Sequence, residues 1–464
     1  MLKRNPIPVL KPQAGGQQFL VYGDSCSGIA GALHEKNFQQ VNESICALET
    51  APQFICFLGD EIMGLTTDQA ELRWQWWYFF ERELAWLDRA TIPLYHSTGN
   101  HTVYDGASED VFREVMSHLP QNGPRGLSYF VRRGDLLMIF VNTMDQRCGG
   151  EGTVETKWLE NVLRQHCDAK YKLVFGHHPV WAVNGYFGDY QRLIERETGR
   201  RFWDVLQRHN ALAYFCSHIL AFDVQVQAGI LQICTAGAGT AHRMPPDEEY
   251  LHFLQAALDE TGLRYQVVDC NGQAREWLSW NWKLPPSTSW ATFEPASPQA
   301  LPTDCLQLQD KAHLVIWDIS LCLPPNDGNL PQTIFCATAD GGALPNLWLG
   351  ISGVDRRITV LLSPDANRSP HRWQGPALPA DRQVSIQVGI HSGMGPGGLL
   401  WRWGDDHPWS SMAAASAWGA ERLPWSRDWQ VGECAGQHKF RGRDLRLEWH
   451  HQAFTFADYY SGHN

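Results

Sequence analysis

Short apolar runs separated by polar turns dominate the first 280 residues. Phe19-Leu-Val-Tyr22, Phe54-Ile-Cys-Phe-Leu58, Tyr171-Lys-Leu-Val-Phe175 and Ala213-Tyr-Phe-Cys216 are mostly apolar at successive positions. That is the pattern of strands buried on both faces. Between them, the spacing predicts helices over 67–87, which opens with Thr-Asp, and over 154–165. The first helix is expected to bury Trp74, Trp77, Phe80 and Trp86 on one face. Residues 250–257 and 263–268 flank Asp259-Glu-Thr-Gly262 and read as a hairpin. Strands mixed with helices predict an α/β layered domain, a β-sandwich flanked by helices.

From Leu284 to Pro302 the chain is rich in Pro, Ser, Thr and Ala, and reads as a linker. Beyond it the apolar period becomes two. Val384-Ser-Ile-Gln-Val-Gly-Ile390 alternates, as do Val315, Trp317, Ile319 and Leu321. An all-β sandwich of jelly-roll type is expected there. The predicted organisation is therefore a catalytic-type domain at 1–283, a linker at 284–302 and a β-sandwich at 303–464.

Composition narrows the function. The 464 residues carry a net charge of −12, which argues against a general nucleic-acid binder but not against a small anionic substrate at a local cationic site. No apolar run reaches the length of a membrane span, and no apolar stretch follows the basic N-terminus, so neither a membrane partner nor a secretory signal is expected. The twelve cysteines form no CxxC pair and no dense framework. Cys56, Cys216 and Cys234 sit in apolar runs as reduced core thiols, so the expected compartment is cytoplasmic.

The chemistry is concentrated where the apolar strands end. Gly23-Asp24-Ser-Cys26, Gly59-Asp60-Glu, Gly99-Asn100-His101-Thr102, Gly176-His177-His178-Pro179 and Cys216-Ser-His218 each follow such a run. Ligands of open α/β folds bind beyond the carboxyl ends of strands, so these loops are expected to converge. Two Asp, one Asn and several His make a mixed oxygen and imidazole donor set. It suits a divalent transition metal (Zn, Mn or Fe, one or two ions) better than Ca or Mg. The Gly237/Gly239 pair lacks the context of a phosphate-binding loop and reads as a tight turn.

In this order, the clusters resemble the calcineurin-like metallophosphoesterases over residues 17–280, most of all the purple acid phosphatase branch. The family's pattern is D-x-H or D-x-x, then GD, GNH(D/E), GH and GHxH. Gly176-His-His-Pro-Val-Trp181, Tyr214-Phe-Cys-Ser-His218 and Ala236-Gly-Ala-Gly239 carry the likeness, and 132–143 resembles the family's strand pair ending in a short polar stretch. The resemblance implies that Asp60 bridges two metals and that Asn100, His177 and His218 complete one of them. It implies that Asp24 is the first ligand of the second, and that His101 contacts the phosphoryl group and protonates the leaving oxygen. His178 is expected to line the substrate pocket.

Four positions depart from that pattern. Cys26 stands where D-x-H members have a histidine, and a thiolate there is a candidate substitute ligand. Met63 stands about where the purple acid phosphatases have an iron-binding tyrosine. Leu220 replaces the second histidine of GHxH; Asp223 and His242 are further candidates for reaching the second metal. Thr102 replaces the acidic partner of His101, so that ring's tautomer is expected to be less fixed.

Two functions remain open at this level. One is a phosphoesterase acting on a small phosphorylated substrate, a monoester or a diester, through metal-activated hydroxide. The other is an inactive relative that binds a glycan or a protein through its C-terminal domain. That domain faintly resembles laminin-G or concanavalin-like sandwiches, and its Trp401, Trp403, Trp409, Trp418, Trp425 and Trp429 are expected mainly to pack.

Overall fold

The computed structural model describes residues 7–144, 152–183, 192–242, 249–280, 311–325, 328–338, 345–363, 370–391, 397–414 and 428–455. The linker expected at 284–302 lies outside them. The chain divides into two compact units, Met1–Val224 with Gly229–Trp282, and Gln225–Ala228 with Lys283–Asp458.

The first unit runs β1 (Gln17–Tyr22), α1 (Leu33–Cys46), β2 (Ile55–Phe57), α2 (Gln69–Tyr78), β3 (Leu94–His96), α3 (Gly106–Val115), β4 (Tyr129–Arg133) and β5 (Leu136–Phe140). It continues with α4 (Thr156–Gln165), β6 (Tyr171–Phe175), α5 (Arg196–Arg208), β7 (Ala213–Cys216), β8 (Phe222–Gln227), β9 (Ile230–Thr235), β10 (His252–Asp259), β11 (Gly262–Asp269) and β12 (Ala274–Trp280). Two six-stranded sheets form, in the orders β12-β11-β10-β1-β2-β3 and β4-β5-β6-β7-β9-β8. Strands β1, β2 and β3 are parallel, as are β5, β6, β7 and β9. All the expected strands and the hairpin at 250–268 are present.

An aromatic seam joins the sheets. Phe19 stacks on Phe54 at 4.9 Å between ring centroids and meets Phe215 of the other sheet edge-on at 6.4 Å. Phe175 stacks between Phe140, at 4.8 Å, and Phe215, at 5.1 Å. Alternate residues of those strands point the other way. Ile139, Val174 and Tyr214 pack under Leu159 and Leu163 of α4 and Phe202 and Leu206 of α5. Strands buried on both faces explain the unbroken apolar runs.

Helix α2 corrects the sequence reading. Asp68 caps it, accepting the backbone N–H of Ala70 and Glu71, and it passes into a π-helical turn at Phe79–Glu83. Its buried stripe is Leu72, Trp76, Phe79 and Phe80, with Trp76 only 1% exposed. Trp74 and Trp77 are 57% and 41% exposed and stack on each other at 4.7 Å; Trp86 is half-buried. The spacing 72, 76, 79 fits 3.6 residues per turn, and Trp74 and Trp77 lie on the neighbouring, exposed face. Arg82 lies 5.4 Å over Trp77 and shields part of it.

The second unit contains β13 (Lys311–Cys322), β14 (Gln332–Thr338), β15 (Pro345–Ile351), β16 (Arg357–Leu362), β17 (His371–Ala377), β18 (Gln383–His391), β19 (Leu399–Arg402), β20 (Ser410–Ser411), β21 (Ala413–Ala414), β22 (Asp428–Val431) and β23 (Arg443–Thr455). They make antiparallel sheets in the orders β20-β19-β18-β13-β23 and β21-β17-β16-β15-β14-β22. Val315, Trp317, Ile319 and Leu321 share a core with Ile386 and Val388 of one sheet and Leu349 and Val360 of the other. This period-two packing agrees with the expected sandwich. Trp401 and Trp403 lie against that core and Trp409 is buried. Trp418, Trp425 and the Trp429 side chain lie outside the described residues.

Candidate functional site

The parallel strands deliver the polar clusters to one edge of the first unit. Asp24 follows β1, Asp60 follows β2, Asn100 and His101 follow β3, His177 and His178 follow β6, and His218 follows β7. A cleft of about 260 Å³ opens there, lined by Asp24, Cys26, Asp60, Asn100, His101 and His218, with Arg192, Leu220, Thr240 and Glu249 among its other walls.

Backbone geometry makes this convergence close. Asp24, Cys26, Asp60 and His218 have φ of 62°, 43°, 56° and 70°. Non-glycine residues rarely take this left-handed conformation, and such strain gathers at functional sites. The β1 and β2 loops are laced together by Asp24 N–H to Gly59 O at 3.1 Å, Cys26 N–H to Asp60 O at 2.7 Å and Ser27 N–H to Glu61 O at 2.9 Å. A Cβ on Gly99 would lie 2.2 Å from Asp60 Oδ1, so only glycine lets the β3 loop approach that carboxylate.

His177 is the hub. Its Nδ1 lies 2.8 Å from the Leu58 carbonyl, which can only accept, so Nδ1 carries a proton and Nε2 faces the other groups. Around Nε2 stand Asp60 Oδ2 at 3.2 Å, Asn100 Oδ1 at 3.2 Å and His218 Nδ1 at 3.0 Å. Burial acts to lower the basicity of His177, but Asp60 and Asp24 outweigh it and raise its pKa to about 9. A proton thus sits where a cation would. Burial opposes ionisation of Asp60, but His177 and His101 overcome it and hold the carboxyl below its usual range. Burial, then His177, depresses His178; burial, then His178, depresses His218, so both rings are neutral.

The donor set fits a transition metal. Bonds of about 2.0–2.1 Å at tetrahedral angles put donors roughly 3.3 Å apart, close to the spacings around His177 Nε2. The Nε2 atoms of His178 and His218 are buried with no hydrogen-bond partner. Asp24, Asp60 and His177 each offer a donor within 4.8 Å of the others, and so do Cys26, Asp60 and His101. Residues 18–222 match the family model of the calcineurin-like phosphoesterases.

They form a calcineurin-like phosphoesterase domain. No curated protein matches the sequence. Among solved structures, the chain is similar to a purple acid phosphatase from yellow lupin seeds, with 14% identity and a TM-score of 0.44, over 57% of this chain and 54% of that one. It thus spans about half the length of the lupin enzyme. It is similar to a dimetal phosphatase from Danio rerio, with 15% identity and a TM-score of 0.42, over 60% of this chain and 100% of that one. A third is GAP50, the anchor in the inner membrane complex of Plasmodium, with 14% identity and a TM-score of 0.40, over 58% and 90% of the two chains.

Several residues of the phosphoesterase domain sit otherwise than their sequence position suggested. Asp24 Oδ2 accepts from the Ser217 hydroxyl and from the His218 N–H at 2.7 Å, and burial pushes its carboxyl up. His178 is wholly buried behind the cleft and is not among its lining residues. Burial, with Asp60 and Asp24 adding, keeps Cys26 a thiol. Leu220 lines the cleft and offers no donor. Thr102 is buried, and its hydroxyl bonds Gly99 at 3.0 and 3.1 Å, within its own turn. The expected looseness of His101 does not arise, because its Nδ1 lies 2.7 Å from the Met63 carbonyl. The backbone at 63 orients the imidazole, and its Nε2 stands 4.0 Å from Asp60 Oδ2.

The sequence reading missed Ser217, Thr143, Arg192, Thr240 and Glu249. Ser217 stands inside the Cys-Ser-His cluster and could have been suspected. Arg192, Thr240 and Glu249 belong to no motif. No helix among the described residues is long and apolar enough to cross a membrane.

Proposed function

We propose that the chain is a metal-dependent hydrolase of a phosphomonoester or phosphodiester, with one firmly held transition metal ion (Zn, Mn or Fe). The observation that carries this reading is the approach of Asp60, Asn100 and His218 to His177 Nε2 at 3.0–3.2 Å. These four residues would hold the ion. When bound, it supplies hydroxide near neutral pH and polarises the phosphoryl oxygen.

The protein's own groups do the rest. His101, held through Nδ1 by Met63 O, presents Nε2 as the atom that hands a proton to the leaving oxygen. Arg192 brings a guanidinium to the cleft wall, suited to a phosphate oxygen. A cleft of about 260 Å³ suits a small phosphorylated group. Asp24 braces His218 and, with Asp60, supplies the carboxylates for a second, weaker ion, with Cys26 as the candidate substitute ligand. In this reading 1–283 is the catalytic domain, 284–302 a linker and 303–464 a binding domain for a glycan or protein. The free thiols among the described residues accord with the cytoplasm.

The test is metal content by elemental analysis, paired with aryl-phosphate turnover in added Zn²⁺ or Mn²⁺. Asn100→Ala and His177→Ala should lose both the metal and turnover. Turnover that survives His177→Ala would sink the assignment.

A second reading, an inactive relative kept for binding, is favoured by Leu220 in the cleft wall and by Thr102 turned into its own loop. It expects the parent to be inert and Cys26→His with Leu220→His to gain metal or turnover. A fully active parent rules it out.

A further inference from the structure

The metal-site reading accounts for His177 and His218 and leaves His178 without a task. This histidine, like His177, is fully buried and not among the cleft-lining residues, and the structure holds it firmly. Its backbone N–H donates to Thr143 Oγ1 at 3.2 Å, its ring Nδ1 lies 2.9 Å from the same hydroxyl, and its carbonyl accepts from Tyr214 OH at 2.7 Å. With Nδ1 engaged, Nε2 is the free end of the ring, and it is buried with no hydrogen-bond partner.

The His218 ring, whose Nδ1 faces His177 Nε2 at 3.0 Å, lies 4.3 Å from the His178 ring between centroids. His177 closes the triangle at 4.9 Å from each. One nitrogen from each of the three rings lies within 4.8 Å of the other two. Buried nitrogens are rarely left unsatisfied in native structures, so His178 Nε2 calls for a partner. A lone-pair acceptor that binds several imidazoles at once is a transition metal ion.

We propose that His178 is a ligand of the metal centre, so that the ion is held by a three-histidine set, His177, His178 and His218, backed by Asp60 and Asn100. This rests on the metal-site reading above and goes beyond it, since the resemblance gives position 178 no ligand role. Thr143 is the outer-shell partner that turns Nε2 toward the ion, as hydroxyls and carbonyls do for metal-binding histidines. The extra imidazole moves the centre toward nitrogen donors. Such a set favours zinc over magnesium or manganese.

The experiment loads the full chain with Zn²⁺ alone and counts imidazole ligands by X-ray absorption fine structure. Chelator competition then measures zinc affinity for the parent, His178→Leu and Thr143→Val, with circular dichroism as the check on folding. Three imidazoles are expected in the parent. His178→Leu should weaken zinc by more than the roughly 10–100-fold that loss of an outer-shell partner costs, and Thr143→Val by about tenfold. Two imidazoles in the parent, or unchanged affinity in a folded His178→Leu, overturns the proposal and leaves the metal-site reading standing. If His178→Leu does not fold, the parent's imidazole count decides. A parent that takes up no zinc overturns both.

Discussion

Asp24 accepts the backbone N–H of His218 at 2.7 Å, and the hydroxyl of the intervening Ser217 reaches the same carboxylate oxygen. One candidate ligand thereby fixes the loop that presents another. Asp24→Ala would leave the buried His218 N–H unsatisfied, at about 1–3 kcal/mol, and free the His218 loop, while the Ser217 hydroxyl keeps the Thr235 carbonyl at 3.2 Å. Loss of stability in urea together with weakened zinc binding is expected. Asp24→Asn keeps an acceptor oxygen and should retain most of the stability. Equal damage from both variants would mean that charge, not hydrogen bonding, is what matters at this position.

The Met63 carbonyl orients His101, so the side chain at 63 is dispensable to that task. His101→Ala is expected to lower kcat by about 10²–10⁴-fold, as loss of a positioned proton donor does, with metal content unchanged. Met63→Leu should leave kcat within about twofold. Steady-state kinetics on both variants checks this, and a large kcat loss in Met63→Leu would point to its thioether instead.

His177 gives the metal-free protein a distinctive pH profile. Its folded pKa, about 9, lies above the ordinary histidine value of about 6.5. The charged ring therefore adds stability that is fully present below about pH 6.5 and is lost as pH rises through about 9. A fall on the order of 3 kcal/mol across that window is expected for chelator-treated protein. Zinc competes with the proton, so zinc affinity should rise over the same range. Urea midpoints at pH 6, 7.5 and 9 measure the effect, and a flat profile would show that His177 is not the charged group.

The tryptophans of α2 separate buried from exposed. Trp76→Ala should destabilise by about 3–5 kcal/mol, since it empties a site 1% exposed. Trp74→Ala, at 57% exposure, should change stability by less than about 1 kcal/mol. Chemical denaturation of the two variants distinguishes the faces.

The strands were legible because two-sided burial leaves unbroken apolar runs, and the sandwich because one-sided burial leaves alternation. The face of α2 was misread because tryptophan is large enough to draw the eye wherever it lies, while Leu72 and Phe79 set the true stripe. In the site, Gly-Asp60, Gly-Asn100-His101, Gly-His177 and Ser-His218 were readable as strand-end clusters. Thr143 against His178 was not, because the two meet across neighbouring strand ends, far apart in sequence. Nor was Met63, which acts through a carbonyl that every residue possesses.

The lacing of the β1 and β2 loops has a consequence for motion. Amides of loops usually exchange with solvent quickly, yet those of Asp24, Cys26, Ser27 and Met63 all donate to backbone carbonyls. They should fall in the slow-exchanging class with the strands themselves. A deuterium map would then carry the rigid part of the domain past the ends of β1 and β2, with Asp24 and Asp60 moving as one piece.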